Sequence, residues 1–211
     1  MPMARSIRGI VFDLDGTLYV SDSFSATIKD AAVAYIAGLR SLDTGEACQL
    51  LNTTRSRMAR QAGTAQTLSA VCVELGGTVR DLHACFQAQL HPEAHLIKDQ
   101  RVITLLENLG RNFELHLFTN NNRALTTRIV DFLGLGGLFQ TVYTIDDTWK
   151  GKPDLELLER VLAEIRLTPE EAIFVGDRYD VDLRLPEQIG CPVYLSQSIE
   201  QLLRLEDVLQ K

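Results

Sequence analysis

The chain has 211 residues, 45% of them hydrophobic and 23% charged, with 28 acidic against 21 basic side chains and a net charge of −7. That length permits one large domain or a core with a small insertion, and the acidic balance, with no Lys/Arg block, argues against nucleic acid or an anionic membrane surface as a partner. No stretch approaches the roughly 20 continuous apolar residues of a membrane span, and the first apolar run is cut by Asp13, which argues against a signal peptide.

The run Ile7, Ile10, Val11 and Phe12 reads as a strand covered on both faces, ending at Asp13 and Asp15, with Gly16 letting the backbone turn. Ligands of open α/β sheets bind beyond the carboxyl ends of the strands, so the two carboxylates stand at a functional edge; taken alone, they could equally cap nearby N–H groups. After Tyr19 the texture becomes helical. Phe24, Ile28, Ala31, Ala32, Tyr35, Ile36 and Leu39 repeat at helical spacing behind a cap region at residues 21–23. Asp43 or Thr44 can cap a second helix carrying Ala47, Leu50, Leu51 and Met58. Leu68, Val71, Cys72 and Leu75 suggest a third, ending at Gly76 and Gly77, and Val79, Leu82, Cys85 and Phe86 a fourth.

From Asp99 helix and strand patterns alternate, the mark of βαβ units. A helix through Val102, Ile103 and Leu109 stops at Gly110, a strand spans 113–118, and a helix over 123–133 closes at Gly134. A short strand covers 141–143, Pro153 opens a helix reaching about Arg166, and the next strand spans 172–175. A last strand, 193–195, precedes one helix through Ile199, Leu202, Leu203 and Val208. Right-handed crossovers fold such units into a doubly wound parallel sheet with the polar strand ends on one edge. The cysteines, Cys48, Cys72, Cys85 and Cys191, show no C-x-x-C spacing and lie in apolar contexts, so reduced thiols and a cytoplasmic location are expected.

Four polar clusters punctuate this pattern: Asp13-Leu14-Asp15-Gly16-Thr17-Leu18, Leu117-Phe118-Thr119-Asn120, Lys152-Pro153-Asp154, and Val175-Gly176-Asp177 with Asp182 five positions on. In kind and order they resemble the four motifs of the haloacid dehalogenase (HAD) superfamily, mostly phosphate-monoester phosphatases, over nearly the whole chain outside residues 21–95. The resemblance implies an α/β core from residues 1–20 and 96–211, with residues 21–95 as an all-helical cap of the C1 type inserted after the first strand. By their place in the motifs, Asp13 is the expected nucleophile and Asp15 the expected general acid and base. Thr119, Asn120 and Lys152 are expected on the phosphate, with Arg123 as a neighbouring candidate. Asp13, Asp177, Asp182 and the backbone carbonyl of Asp15 are expected around Mg²⁺, which an acidic pocket needs if it is to accept a phosphate ester.

Each assignment has a competitor. Asp180 is the fallback for Asp182, Lys150 competes with Lys152, and a helix stop explains Gly134, Gly136 and Gly137 better than a dinucleotide fingerprint. Pro92 between His91 and His95 spoils the regular helix a zinc pair would need. Arg55, Arg57 and Arg60 read as a solvated basic face rather than as substrate contacts. A phosphomutase keeps both motif-one aspartates, and a non-catalytic Mg²⁺/phosphate switch is the reading from another class. The expected partner is a small phosphorylated metabolite, with specificity set by the inner face of the cap and Tyr19 at the hinge; the oligomeric state is open.

Overall fold

The computed structural model describes residues 7–209. Five parallel strands make one sheet: β1 (Gly9–Phe12), β2 (Glu114–Phe118), β3 (Thr141–Tyr143), β4 (Ala172–Gly176) and β5 (Val193–Leu195), in the order β3-β2-β1-β4-β5. β1 is central and buried throughout, which is why its four residues carry no polar side chain. Its register with both neighbours is fixed: Phe12 pairs with Leu117 of β2 and with Val175 of β4. Residues following these strands are thereby brought to a common edge, at the point where the chain order reverses across the sheet.

Four helices, α1 (Asp22–Arg40), α2 (Thr44–Ala62), α3 (Leu68–Glu74) and α4 (Val79–Gln89), stand between β1 and the rest of the core. Each begins on a side-chain cap: Ser21 for α1, Asp43 for α2 in a reciprocal capping box with Glu46, Thr67 for α3 and Thr78 for α4. Such caps satisfy otherwise orphaned N–H groups at the helix start. The core resumes with α5 (Gln100–Leu109), α6 (Arg123–Leu133), α7 (Leu155–Ile165) and α8 (Arg184–Gln188), and ends in α9 (Ile199–Leu202) and α10 (Leu205–Leu209). Alternate residues of β1 face opposite layers. Ile10 and Phe12 pack with α5, α6, α9, α10 and the inserted helices, and Val11 packs with α7 and α8.

Two boundaries differ from the sequence pattern. Pro153 precedes the helix instead of opening it: Asp154 caps α7, accepting the Leu157 N–H at 2.8 Å, and α7 starts at Leu155. The last helical stretch is two short helices, broken at Leu203 and Arg204. Gly134 ends α6 at φ 76°, a left-handed cap that explains the glycine without a nucleotide. The four cysteines are free thiols. Among the described residues, no helix is long and apolar enough to cross a membrane.

Candidate active site

Asp13 leaves β1 with its amide donating to the Val175 carbonyl at 2.8 Å, so it sits between the ends of β2 and β4. Its carboxylate is 4% exposed, and Oδ1 accepts from Lys152 Nζ at 2.6 Å. The Lys152 ammonium also donates to the Phe118 carbonyl at 2.8 Å and lies 2.7 Å from Asp182 Oδ1. Burial opposes its charge, but Asp13 and Asp182 outweigh that and hold the ammonium above its ordinary range. Burial pushes the Asp13 carboxyl up, Lys152 opposes it, and Asp182 and Asp15 add to it, with the balance at about 7.

The turn after Asp13 is tight because it must fold onto Asp177. Gly16 has φ 83°, and a Cβ there would lie 2.5 Å from Asp177 Oδ2. Only glycine supplies both the conformation and the room. The same turn returns Tyr19 to Asp15, whose Oδ1 accepts the Tyr19 hydroxyl, while Asn121 Nδ2 donates to Oδ2 at 2.6 Å. Both oxygens of Asp15 are thus oriented by donors. Burial raises its pKa against those two hydrogen bonds.

Thr119 follows β2, is 1% exposed, and accepts the Asn121 N–H at 3.1 Å. Asn120 clips the lysine-bearing loop: Oδ1 accepts the Lys152 N–H at 2.7 Å and Nδ2 donates to the Lys152 carbonyl at 3.0 Å. Asp177 and Asp182 follow β4, where a π-helical turn, Tyr179–Leu183, spans the interval between them. That wide turn points Asp182 inward, with Oδ2 accepting the Arg178 N–H at 3.1 Å, and turns Asp180 outward to accept the Ala65 N–H of the cap at 3.2 Å. Gly176 makes room, since a Cβ there would meet the Cβ of Asp182 at 2.5 Å.

Asp13, Asp177 and Asp182 each offer an oxygen within 4.8 Å of the others. Asp177 Oδ1 is buried without a hydrogen-bond partner, its nearest cation being Arg178 Nε at 3.7 Å. Burial pushes the Asp177 carboxyl up to about 6, with Arg178 opposing and Asp182 reinforcing the rise. An all-oxygen set with a spare carboxylate oxygen suits a hard divalent cation such as Mg²⁺.

The other candidates fall elsewhere. Arg123 is drawn away from this cluster by Asp147, 2.7 Å off, and by the Val142 carbonyl, and lines a separate cleft beside β3. Lys150 pairs with Glu156 at the surface. His95 Nδ1 lies 3.3 Å from Ser23 Oγ, and among the described residues His91 and His95 join no metal-holding group. Sequence reasoning passed over Asn121, Arg178 and His83. The first sits in an unbroken Asn120-Asn121-Asn122 run after the threonine, a polar density that was a usable signal. A cavity of about 350 Å³ opens between the cap and these strand ends, lined by Asp15, Asp177 and Asn121 from the core and by Lys29, Arg55 and His83 from the cap.

The haloacid dehalogenase-like hydrolase model matches residues 7–190, and the chain belongs to that family. It is 30% identical over 193 residues to the glyceraldehyde 3-phosphate phosphatase of Methanocaldococcus jannaschii, spanning 87% of this chain and 82% of that protein. To the phosphoglycolate phosphatase of Yersinia pseudotuberculosis it is 26% identical over 194 residues, 89% of this chain and 80% of the other. Among solved structures, a HAD phosphatase from Thermococcus onnurineus superposes with a TM-score of 0.62 at 16% identity, covering 96% of this chain and 98% of its own. The HAD hydrolase YfnB of Bacillus subtilis, solved bound to magnesium, gives 0.61 at 20% identity over 98% and 100%. These two likenesses establish the fold, including the helical insertion after β1.

Proposed function

We propose that this enzyme is a Mg²⁺-dependent phosphatase acting on a small phosphomonoester. One observation carries the reading: Asp13, Asp15, Thr119, Lys152 and Asp177, far apart in sequence, stand at the same edge of the sheet, three of them directly after parallel strands. In-line displacement at phosphorus needs a nucleophile, neutralisation of the phosphoryl oxygens and a proton for the leaving oxygen. An oxygen of Asp13 attacks phosphorus and the bond to the ester oxygen breaks, leaving an aspartyl-phosphate. Asp15 gives the departing oxygen its proton, then takes one from the water that cleaves the acyl phosphate. The ammonium of Lys152, already anchored, offers positive charge to the phosphoryl group while holding Asp13 in place. Thr119 and the Asn120 N–H, at the strand-to-helix junction, are the remaining donors to the phosphate.

Asp13, Asp177, Asp182 and the Asp15 carbonyl would hold the magnesium, whose charge offsets that of the phosphate and of the acidic cluster. Asp182 has a second task visible in the geometry, fixing Lys152 by its ion pair. The relatives named above act, by their names, on small phosphorylated metabolites, which agrees with a cavity near the lower end of the usual range for ligand sites, about 300–1,000 Å³. The test is a phosphate-release screen over sugar phosphates, nucleotides, 2-phosphoglycolate and p-nitrophenyl phosphate, with Mg²⁺ and with EDTA. Asp13→Asn is expected to lower turnover on the best compound by on the order of a thousandfold or more. An unchanged rate removes Asp13 as nucleophile, and an isomerised product in place of free phosphate would make the enzyme a mutase.

A further inference from the structure

We propose that the cap half of the cavity is a subsite for a carboxylate carried by the substrate, so that the preferred compounds are small phosphorylated acids; this rests on the phosphatase reading. The cap carries as many acids as bases between Asp22 and Gln89, yet both charged residues it turns toward the cavity, Lys29 and Arg55, are basic. Across the opening the core contributes Arg178, so two guanidinium groups face one space in a protein of net charge −7. Arg55 spends its Nε on the Gln66 carbonyl at 3.1 Å, and among the described residues it pairs with no carboxylate. Its surroundings disfavour its own charge, through burial first and then through Arg178. Arg178 leans on Asp177 and Asp182, 3.7 and 3.9 Å away, but Arg55 has no such partner, and an unneutralised cation beside a pocket is costly in an empty site and favourable around an anion.

Arg55 is also singled out from its neighbours. Arg57, two residues on, is held by Glu74 at 2.5 Å and by Gln61 at 3.2 Å, the solvated arrangement expected for a helix face. A second observation on the same wall points to a polar ligand. His83 is 2% exposed, its Nε2 lies 3.2 Å from Ser69 Oγ, and its buried Nδ1 has no partner. A buried nitrogen without a partner costs free energy unless a ligand or water completes it. The planar fork of arginine donates to a carboxylate bidentately, and a cavity of about 350 Å³ has room for a small acid attached to the phosphate.

The test compares kcat/KM for 2-phosphoglycolate with that for 2-hydroxyethyl phosphate, the same skeleton with the carboxylate replaced by CH₂OH, using the Mg²⁺-supplemented enzyme. The original protein is expected to favour the acid, and Arg55→Gln to reduce that preference by about tenfold, the scale of one charge-assisted hydrogen bond. Arg57→Gln, outside the cavity, is expected to keep the original ratio, and His83→Gln to lower it less than Arg55→Gln does. No preference in the original protein, or a ratio insensitive to Arg55→Gln, overturns the subsite. If p-nitrophenyl phosphate is turned over in an Asp13-dependent manner while no preference appears, the subsite alone falls. If no phosphate is released from any of the three compounds, the phosphatase reading falls first and takes the subsite with it.

Discussion

Replacing Lys152 with methionine keeps most of the side chain's volume and deletes an ammonium that touches three acceptors at 2.6, 2.7 and 2.8 Å. Two of them are carboxylates 4% exposed, so the variant leaves a buried pair of negative charges with only Arg178, 3.9 Å from Asp182, to offset them. Breaking a buried ion pair from one side costs about 3–5 kcal/mol. In a chain of this length each kcal/mol moves Tm by about 2–4 °C, so Lys152→Met is expected to melt about 10 °C lower at pH 8 in EDTA. Chelation matters, because a bound cation would stand in for the lost charge. The deficit should shrink as the pH falls. Asp13 titrates near 7 even with the lysine present, and Lys152 lowers that value, so the variant's Asp13 binds a proton at still higher pH. A carboxyl with a raised folded pKa costs the folded state stability above that pKa and returns it as the pH drops through it. At pH 5.5, therefore, the two melts should lie closer than at pH 8. A gap that is negligible at pH 8, or larger at pH 5.5, refutes the account of Lys152 as the counterion of the cluster.

Further outcomes follow from the same geometry. Gly16→Ala places a methyl 2.5 Å from Asp177 Oδ2 at φ 83°; it should cost about 1–2 kcal/mol in denaturant unfolding and lower phosphate release by about 100-fold through misplacement of the carboxylate, and full activity would show that Asp177 need not sit there. Tyr19→Phe and Asn121→Ala each free one oxygen of Asp15, so in single-turnover measurements of the first, leaving-group step the rate with alkyl phosphates should fall by about tenfold or more while that with p-nitrophenyl phosphate, whose leaving group needs no proton, changes little; equal losses in that step would deny Asp15 the proton. Burial lowers the His83 pKa from 6.5 to about 4. The unfolded chain therefore binds more protons between those values, and stability present above pH 6.5 is lost as the pH falls toward 4. The loss is worth about 3 kcal/mol, and His83→Gln should flatten that part of the stability–pH curve.

Much of this architecture was legible because burial and turn chemistry leave local marks. The all-apolar Gly9–Phe12 run announces a strand covered on both faces, and Asp13 and Asp177, which interrupt two such runs, lie at strand ends. The inserted helices were visible from periodicity and from Ser21 and Asp43, residues that do cap the first two. The interval between Asp177 and Asp182 was harder, since five residues do not return to one face of an ordinary α-helix; the π-helical turn that resolves it is set by packing against β4 and leaves little trace in sequence. The surroundings of Arg123 were hidden for a related reason. Asp146 and Asp147, more than twenty residues away, bind its backbone and side chain, and no local pattern reveals a partner so distant.

The run 119–122 shows how closely the cap and the chemistry are joined. Thr119 receives the Asn121 N–H, Asn120 holds the Lys152 backbone, Asn121 holds Asp15, and Asn122 caps α6 through the Leu125 N–H while donating to the His83 carbonyl of α4 at 3.0 Å. Four consecutive residues thus tie the loop after β2 to Lys152, to Asp15 and to the inserted helices. Two further cap contacts land close by: Ala65 meets Asp180 within the turn bearing Asp182, and Arg80 stacks on Trp149, three residues before Lys152, with its guanidinium 4.8 Å from the ring centroid. Displacing the cap would therefore disturb the loops that orient Asp15, Lys152 and Asp182. In a fold whose site is assembled from strand-end loops, covering the substrate and aligning the reacting groups become a single structural event.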